Sequence, residues 1–306
     1  MQYLEMNHND VFWNLATEEY VLNNLTDDSY FLLYQNDDSL VVGKYQNVYQ
    51  EINIPAVETA EIKVARRISG GGTVFHDKGN LNYAFITSTA TSGPPCYDDF
   101  LTPIIGALQS LGIDARKRNV CDIAIGDKKI SGSAQTIHGN RVLHHGTLLF
   151  HADMEKLHRF LKVTDATIES KAVTSVSSQV TNISQHLQEI HMNMDEFKSA
   201  LHNQFFQQND TPYILSDADY QVIKHLRDEK YNTWEWNWGK SPKFTLRRDN
   251  VTLSVNHGII TECTAPFLPK EAITALIGQR YGYQNLCQLL SPYLGDATEH
   301  WIPYLF

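Results

Sequence analysis

A glycine triplet stands behind two arginines in the segment RRISGGGTVFHDKGN, which spans residues 66–80. Consecutive glycines let backbone amides converge on an anion, and a guanidinium matches the geometry of a phosphate or a carboxylate. The spacing is neither that of a Walker P-loop nor the GxGxxG pattern of a dinucleotide-binding fold. The bare triplet therefore predicts a sharp bend about as well as an anion-binding loop, and the adjacent arginines favour the loop.

A pair of lysines forms a second candidate site, in the segment GDKKISGSAQ at residues 126–135. Successive residues of a strand point to opposite faces, so one of Lys128 and Lys129 can face a ligand while the other faces solvent. Gly132 lies between two serines, which suggests that the strand passes close to a bulky group. Taken alone, a lysine pair is more often a solvated turn.

Histidines and cysteines offer two rival chemistries. His144 and His145 adjoin a glycine in RVLHHGTLLFH, but the chain has no HExxH or CxxC spacing that would support a zinc site. We therefore expect one histidine to face a pocket and no metal site built from protein ligands alone. Cys121 could act as a nucleophile, but nothing beside it would lower the pKa of its thiol, so we expect a small buried residue.

The composition limits the class of protein. The 306 residues include 25 Lys and Arg against 35 Asp and Glu, a formal net charge of −10, which argues against a nucleic-acid partner. No apolar run is long enough to span a bilayer and no secretory signal is recognisable, so we expect no membrane association. Four scattered cysteines are typical of free thiols in a reducing compartment, which predicts a cytoplasmic protein.

The elements that must position these residues are helices mixed with short strands. Apolar periodicity predicts helices at residues 9–25, 99–113, 153–161 and 194–206. Strands are predicted in YFLLYQ, SLVVGKY and RVLHHGTLLFH, with hairpin turns at Gly126-Asp127 and at residues 77–80. Because hairpins outnumber βαβ units, we expect an α+β fold whose large domain has a mixed, largely antiparallel β-sheet flanked by helices.

The chain is predicted to divide near TWEWNWGKSPKF, at residues 233–244. Three alternating tryptophans give way there to Gly-Lys-Ser-Pro, and the remaining sequence predicts antiparallel strands followed by two short helices. We therefore expect two domains. Residues 1–243 would carry the candidate site, and residues 244–306 would form a small α+β C-terminal accessory domain.

Three motifs in this order resemble the lipoate–protein ligase A family, which has the biotin/lipoate protein ligase fold. They are ARRISGGGTVFHDKGNLNYAF, GDKKISGSAQ and HHGTLL. WNLATEEY and VVGKYQN are similar to the family's opening helix and second strand, and TWEWNWGKSPKF is similar to the start of its accessory domain. The resemblance covers nearly the whole chain.

The resemblance implies a two-step reaction that depends on ATP. Lipoate, or octanoate, and ATP first give an acyl-adenylate and pyrophosphate, and Mg²⁺ is expected with the nucleotide. The acyl group then moves to a lysine of a lipoyl-domain protein, such as an E2 subunit of a 2-oxoacid dehydrogenase or the glycine cleavage H protein. A fixed cation and preorganised N–H donors stabilise the charge that develops in both steps, so no covalent enzyme intermediate is needed.

The resemblance also implies roles for individual residues. Lys129 matches the lysine that contacts the carbonyl and the phosphate of the adenylate, and it is the expected catalytic residue. Asp122 is the candidate carboxylate for Mg²⁺, and Val42 and Leu148 are further candidates for the walls of the acyl tunnel. The expected substrate- and adenylate-binding residues are Arg66, Arg67, Ser69, Gly70, Gly71, Gly72, Thr73, Val74, His76, Asp77, Asn80, Asp122, Ser133, Ala134, His145, Gly146 and Thr147.

The chain departs from the family pattern in two places. The family usually has Arg-Asn-Asp shortly before the lysine hairpin, whereas residues 118–122 read RNVCD. The asparagine is therefore either displaced by two residues or replaced by Cys121. Further on, Ser177 and Gln179 stand where many members carry arginines, which bears on the polyphosphate contacts and on the choice of acceptor.

Two alternative functions stay open. An ATP-independent octanoyl- or lipoyl-transferase of the same fold uses a nucleophilic cysteine, but that cysteine lies farther upstream of the lysine than Cys121 does. Such transferases also generally lack the accessory domain. The other alternative is a non-catalytic module that binds lipoyl domains, since the missing arginines could mark a degenerate member. Biotin–protein ligase shares the fold, but its glycine-rich loop differs from RRISGGG.

Overall fold

The computed structural model describes residues 1–89, 95–161, 166–176, 178–187, 192–207 and 210–306. Ser177, one of the two positions of the missing arginines, lies outside the described residues. Within them the strands are β1 (Gln2–Glu5), β2 (Tyr30–Tyr34), β3 (Ser39–Val42), β4 (Lys63–Arg66), β5 (Val74–His76), β6 (Asn80–Ser88), β7 (Ala115–Lys117), β8 (Asp122–Ile125), β9 (Lys128–His138), β10 (Arg141–Leu149), β11 (Thr167–Ser170), β12 (Phe244–Arg248), β13 (Val251–Asn256) and β14 (Ile259–Thr264).

The helices include every helix that periodicity predicts in the first part of the chain. No helix in the described ranges is long and apolar enough to cross a membrane. The α-helices are α1 (Val11–Asn24), α2 (Val48–Glu51), α3 (Ile54–Thr59), α4 (Asp98–Ser110), α5 (Met154–Phe160), α6 (Met194–Phe205), α7 (Asp217–Leu226), α8 (Trp234–Asn237), α9 (Lys270–Leu276), α10 (Tyr283–Leu294) and α11 (Thr298–Trp301).

Helix α1 is buried on most of its sides. It begins where predicted, because the side chain of Asp10 accepts a hydrogen bond from the N–H of Trp13 at 2.9 Å. Asn14, Thr17 and Glu18 are all buried within it. Polar groups persist in an interior only when they are hydrogen-bonded, so these residues indicate a polar network beneath the helix.

The large sheet confirms the predicted α+β fold. Its seven strands run in the order β1-β2-β6-β10-β9-β8-β7. The β1–β2 pair is parallel and the other pairs are antiparallel. Helix α1 packs on one face of the sheet, and α4 and α6 cover the other. A small sheet of three strands, in the order β4-β3-β5, lies beside it.

The predicted hairpin at residues 77–80 is wrong, although the turn itself is present. The N–H of Asn80 donates to the carbonyl of Asp77 at 3.1 Å. However, β5 pairs with β3 in the small sheet, whereas β6 pairs with β2 and β10 in the large one. The turn is anchored to the end of β10, because the N–H groups of Phe150 and His151 both donate to the carbonyl of Gly79. The chain thus crosses between the two sheets here.

The C-terminal segment shares a core with the rest of the chain. Strand β11 precedes the predicted boundary, yet it pairs with β12 in a four-stranded sheet ordered β11-β12-β13-β14. Leu40 and Phe75 belong to the same hydrophobic cluster as Leu253 and Leu286. The division between residues 243 and 244 remains a prediction.

Phe244 offers a test of that division. Its buried ring lies 5.3 Å from the ring of Tyr49 and 5.8 Å from that of Tyr281, so it joins the two parts. We expect Phe244→Ala to lower the free energy of unfolding by about 3–5 kcal/mol in a single transition, because the cavity opens in a shared core. Urea unfolding followed by both fluorescence and circular dichroism measures this. A separate early transition confined to the C-terminal segment would instead support two independent domains.

Candidate active site

A cavity of about 430 Å³ is lined by residues of both the large and the small sheet. Most of the predicted site residues meet there. They are Lys129, Arg67, Gly71, Gly72, Thr73, Val74, His76, Asp122, Ser133, Ala134, His145, Gly146 and Thr147. The cavity is also lined by residues that the sequence did not single out as binding residues, namely Leu15, Tyr34, Val41, Asn82, Asn119, Cys121, Gly132, Val173, Thr174, Ser175, Val176 and Ser178.

One row of residues crosses the floor of this cavity. Asn82 of β6 pairs with Tyr34 of β2 on one side and with Thr147 of β10 on the other. Thr147 Oγ1 lies against the backbone of Gly132, which pairs with Asp122 of β8. Directly paired residues share one face of a sheet, so the cavity runs across the strands from Tyr34 to Asp122.

Lys129 lies at the Asp122 end of this row. Its ammonium is 2.7 Å from Asp122 Oδ1, and the Asp122 side chain is only 7% exposed. Lys128 faces solvent, as strand alternation predicts. The close approach predicted at Gly132 is that of Lys129 itself, because a Cβ at position 132 would lie 2.7 Å from its Nζ. Glycine here leaves room for the ammonium above the strand.

The contacts of Asn119 indicate whether the asparagine of the RNVCD segment, residues 118–122, is displaced or replaced by Cys121. Its side-chain oxygen accepts from the N–H groups of Cys121 and Asp122, and its amide donates to Asp122 Oδ2 at 2.8 Å. This favours an asparagine displaced by two residues, with Val120 turned out to solvent. Cys121 lines the cavity, but burial and then the neighbouring Asp122 raise the pKa of its thiol. A thiolate is therefore scarce at neutral pH.

The guanidinium of Arg67 holds the glycine loop, residues 69–73, from within. It donates to the carbonyls of Gly70 at 2.6 Å and Gly72 at 2.7 Å, and to that of Val41 at 3.0 Å. Burial lowers the pKa of Arg67 to about 10, so it stays charged at neutral pH. Its donors are used on carbonyls of the protein and on Ser69 Oγ, so Arg67 fixes the shape of the glycine loop.

Arg66 does not line the cavity. It is fully buried, and its guanidinium donates to the carbonyls of Gly43, Gln46, Trp236 and Asn237. These contacts fix β4 and the start of the glycine loop against α8. Arg66 is therefore placed as a positioning residue, which affects a bound ligand only through the glycine loop.

The other predicted site residues that do not line the cavity support the residues that do. Asp77 accepts hydrogen bonds from the N–H groups of Gly79 and Asp153. Asn80 donates to Asn82 Oδ1 at 3.0 Å, and the carbonyl of Gly70 accepts from the guanidinium of Arg67. Val42 and Leu148, the proposed tunnel walls, lie in the hydrophobic clusters behind the cavity.

A buried polar chain joins helix α1 to the glycine loop. Glu18 Oε2 lies 2.8 Å from His145 Nδ1, and His145 Nε2 lies 2.6 Å from Ser69 Oγ. The atoms follow the order of a serine–histidine–acid triad. Ser69 is only 1% exposed, does not line the cavity and accepts from Arg67 Nε, so it is not placed to attack a substrate. His145 faces the cavity, while His144 stacks on Phe100 behind the sheet.

Two buried donors of the cavity wall have no partner among the described residues. Asn36 receives a hydrogen bond from Asn14 on its oxygen and so donates its amide to His76 Nδ1 at 2.9 Å. Burial lowers the pKa of His76 to about 3, so the ring is neutral and its proton sits on Nε2, which is unpaired. Asn82 Nδ2 is unpaired as well. A buried donor without a hydrogen-bond partner is costly, so this wall of the cavity suits a ligand or a water molecule that accepts hydrogen bonds from His76 and Asn82.

Residues 173–176, the covering segment, close over the glycine loop. Ser175 Oγ lies 2.9 Å from the N–H of Thr73 and 3.1 Å from Gln46 Nε2, and it also donates to Glu51 Oε2. Sequence reasoning missed Gln46, although it lies in the motif VVGKYQN, and it missed Glu51, which lies in no motif. It also missed Glu18, Tyr34 and Asn82. Tyr34 stands in the predicted strand YFLLYQ, and Asn82 follows the predicted hairpin turn at residues 77–80, so alternation along both segments could have marked them as facing the same side as His145.

Comparison with known proteins gives consistent matches. The family model of the lipoyl protein ligase A/B catalytic domain matches residues 10–206. Lipoate–protein ligase 1 of Staphylococcus aureus (strain Mu50 / ATCC 700699) is 37% identical, and the match covers 98% of each chain. A solved lipoate–protein ligase A bound with ATP is 26% identical with a TM-score of 0.66, over 78% of this chain and 98% of that one. A bipartite lipoate protein ligase of Thermoplasma acidophilum, described with its E2 lipoyl domain, is also 26% identical, with a TM-score of 0.65 over 81% and 97%.

Gly71 and Gly70 provide a matched pair of substitutions in the glycine loop. Gly71 has φ +85°, and a Cβ there would lie 2.9 Å from the guanidinium of Arg67, whereas a Cβ on Gly70 would meet only Tyr45 at 4.0 Å. We expect Gly71→Ala to cost about 1–3 kcal/mol of backbone strain and to weaken lipoate binding at least tenfold by displacing the loop. Gly70→Ala should bind as wild type does. Calorimetric titration with lipoate compares the two, and equal affinities would mean that the loop does not shape the cavity.

Proposed function

The chain belongs to the lipoyl protein ligase A/B catalytic domain family, and we propose that it is an ATP-dependent lipoate–protein ligase. The single observation that carries this function is the ammonium of Lys129 at one end of a cavity that runs beneath the glycine loop. Apolar side chains of Leu15, Val41 and Val74 line the same cavity. A fixed cation and an apolar wall together match an acid with a long apolar tail.

The first step activates the acid. One carboxylate oxygen of lipoate forms a bond to the α-phosphorus of ATP, the bond from that phosphorus to the bridging oxygen breaks, and pyrophosphate leaves. Negative charge on the α-phosphate increases in the transition state, and the Lys129 ammonium stabilises it. Asp122 fixes the position of the ammonium before the substrates arrive, so little reorganisation is needed during the reaction.

The second step transfers the acyl group. The neutral amine of an acceptor lysine forms a bond to the carbonyl carbon, the bond from that carbon to the phosphate oxygen breaks, and AMP leaves while the amine loses a proton to solvent. The carbonyl oxygen gains negative charge as the amine adds. Lys129, whose ammonium lies at the cavity, is the donor that can stabilise this oxygen.

The residues present fit Mg²⁺ as a companion of the nucleotide. No cluster of three His, Cys, Asp or Glu side chains that could hold a metal occurs in the described ranges. Mg²⁺ is usually bound by one or two carboxylates together with phosphates and water, and Asp122 is the carboxylate at the cavity. Its Oδ1 accepts from the Lys129 ammonium and from Cys121 Sγ, whereas Oδ2 accepts only from Asn119 among the described residues and keeps a further lone pair. When bound, the metal would offset phosphate charge.

The acceptor we propose is the lipoyl domain of an E2 subunit of a 2-oxoacid dehydrogenase or the glycine cleavage H protein. Support comes from the bipartite ligase described with its E2 lipoyl domain, which this chain resembles in sequence and fold. ATP is available inside the cell, so we propose that the reaction takes place in the cytoplasm.

The alternative transferase reaction would need Cys121, and this yields a prediction. Because burial and Asp122 raise the pKa of its thiol, we expect Cys121→Ser to keep ATP-dependent lipoylation within about twofold of wild type. The assay follows lipoate incorporation into an apo-lipoyl domain with and without ATP. Loss of activity in Cys121→Ser, together with ATP-independent transfer from an acylated protein by the wild type, would establish the transferase instead.

Lys129 and Lys128 form a matched pair for testing the ligase reaction. We expect Lys129→Ala to lower the rate of lipoate-dependent pyrophosphate release from MgATP by about 10²–10³, the loss typical of removing one donor to a developing charge. Lys128→Ala removes an exposed neighbour of the same charge and should leave that rate unchanged. Circular dichroism checks that both variants are folded. Equal rates in the two variants would contradict the role of Lys129, and no pyrophosphate release by the wild type would contradict the ligase function.

A further inference from the structure

Exposed apolar side chains gather around the mouth of the cavity. Ten large hydrophobic residues of the described ranges are exposed. Four of them, here called the rim, are Tyr45, Val120, Val173 and Val176, which are 60%, 66%, 55% and 88% exposed. None of the other six adjoins a cavity-lining residue in the chain: Met1, Ile137, Ile214, Val222, Ile277 and Tyr293. Apolar side chains clustered around one opening indicate an interaction site.

The rim residues come from three segments of the chain that lie beside the cavity lining. Val173 and Val176 belong to the cavity lining, and Val120 stands between Asn119 and Cys121, which both line it. Tyr45 lies over the glycine loop, with its Cδ2 atom 4.0 Å from the place of a Cβ on Gly70. The bond between Gln46 and Ser175 joins the Tyr45 side of the rim to the covering segment.

Positive charge flanks the rim in an otherwise acidic protein. Lys44, Arg118 and Lys128 are exposed beside rim or cavity residues, and within the described ranges none of them forms an ion pair. Asp127 is the exposed acid next to Lys128. The whole chain has a net charge of −10, so this face differs in sign from the average surface. Such a face attracts a partner that is acidic around its point of contact.

We propose that the rim is the docking surface for the acceptor domain, which presents its target lysine between apolar and acidic side chains. This inference rests on the proposed function, because only the second step requires a protein at the mouth. The acceptor's amine must reach the acyl carbonyl inside the cavity, so the domain that carries it covers the opening. An apolar contact there excludes water, which would otherwise hydrolyse the acyl-adenylate and keep the amine protonated.

Tyr45 and Val120 are suited to a test, since neither lines the cavity. The double variant Tyr45→Ser/Val120→Ser removes apolar contact without adding charge. Its matched control is Ile214→Ser/Val222→Ser, which truncates two residues that are 74% and 48% exposed and that adjoin no cavity-lining residue in the chain. The assays are lipoate-dependent pyrophosphate release, and lipoyl transfer to an E2 apo-lipoyl domain over a range of domain concentrations.

We expect the rim variant to raise the KM for the apo-lipoyl domain at least about tenfold, as loss of a central apolar contact does, while pyrophosphate release stays at the wild-type rate. The control should match the wild type in both assays. Lys44→Glu should raise the same KM, because it repels an acidic partner. Unchanged transfer in the rim variant would overturn the inference, and so would an equal loss of pyrophosphate release, which would place these residues in the first step. If the wild type itself releases no pyrophosphate, the proposed function fails and the inference fails with it.

Discussion

The buried guanidinium of Arg67 is the interaction on which the site depends. It donates to the carbonyls of Val41, Gly70 and Gly72 and to Ser69 Oγ, so one cation joins the small sheet to the glycine loop. Ser69 continues the connection through His145 of the large sheet to Glu18 of α1. A buried cation is tolerated only with such compensation, and the carboxylate of Glu18 opposes the effect of burial on the pKa of Arg67. The spacing of the two sheets, and therefore the cavity, follows from this network.

Local sequence patterns predicted the positions of helices and turns well, but they did not predict which distant parts of the chain come into contact. Apolar periodicity located α1, α4, α5 and α6, and the two lysines were correctly assigned to opposite faces of β9. The turn at residues 77–80 was also located, but a turn does not determine which sheet each flanking strand joins. That depends on pairing with β3 and β10, which are distant in the chain.

Prediction of the candidate site was limited in the same way. Glycines, lysine and histidine carry motifs, and most of these residues do line the cavity. The arginines looked like phosphate ligands because of their chemistry, yet both spend their donors on carbonyls of the protein. For Arg66 those carbonyls include that of Asn237, far along the chain, and no local pattern shows such a contact. Glu18 was missed for the same reason, since its partner His145 is distant in sequence.

In the proposed reaction the cavity serves two steps with opposite needs, and the two segments that cover it differ accordingly. The first step requires that water be kept away from the acyl-adenylate, whereas the second requires that a lysine of the acceptor protein enter the cavity. The glycine loop is held by a buried cation, so moving it would expose that charge and break several hydrogen bonds at once. The covering segment is held instead through the polar contacts of Ser175 with Thr73, Gln46 and Glu51, while its valines stay in solvent. Water can replace such contacts at small net cost. Opening of the cavity is therefore cheaper at the covering segment than at the glycine loop, whose hydrogen bonds to Arg67 can stay intact.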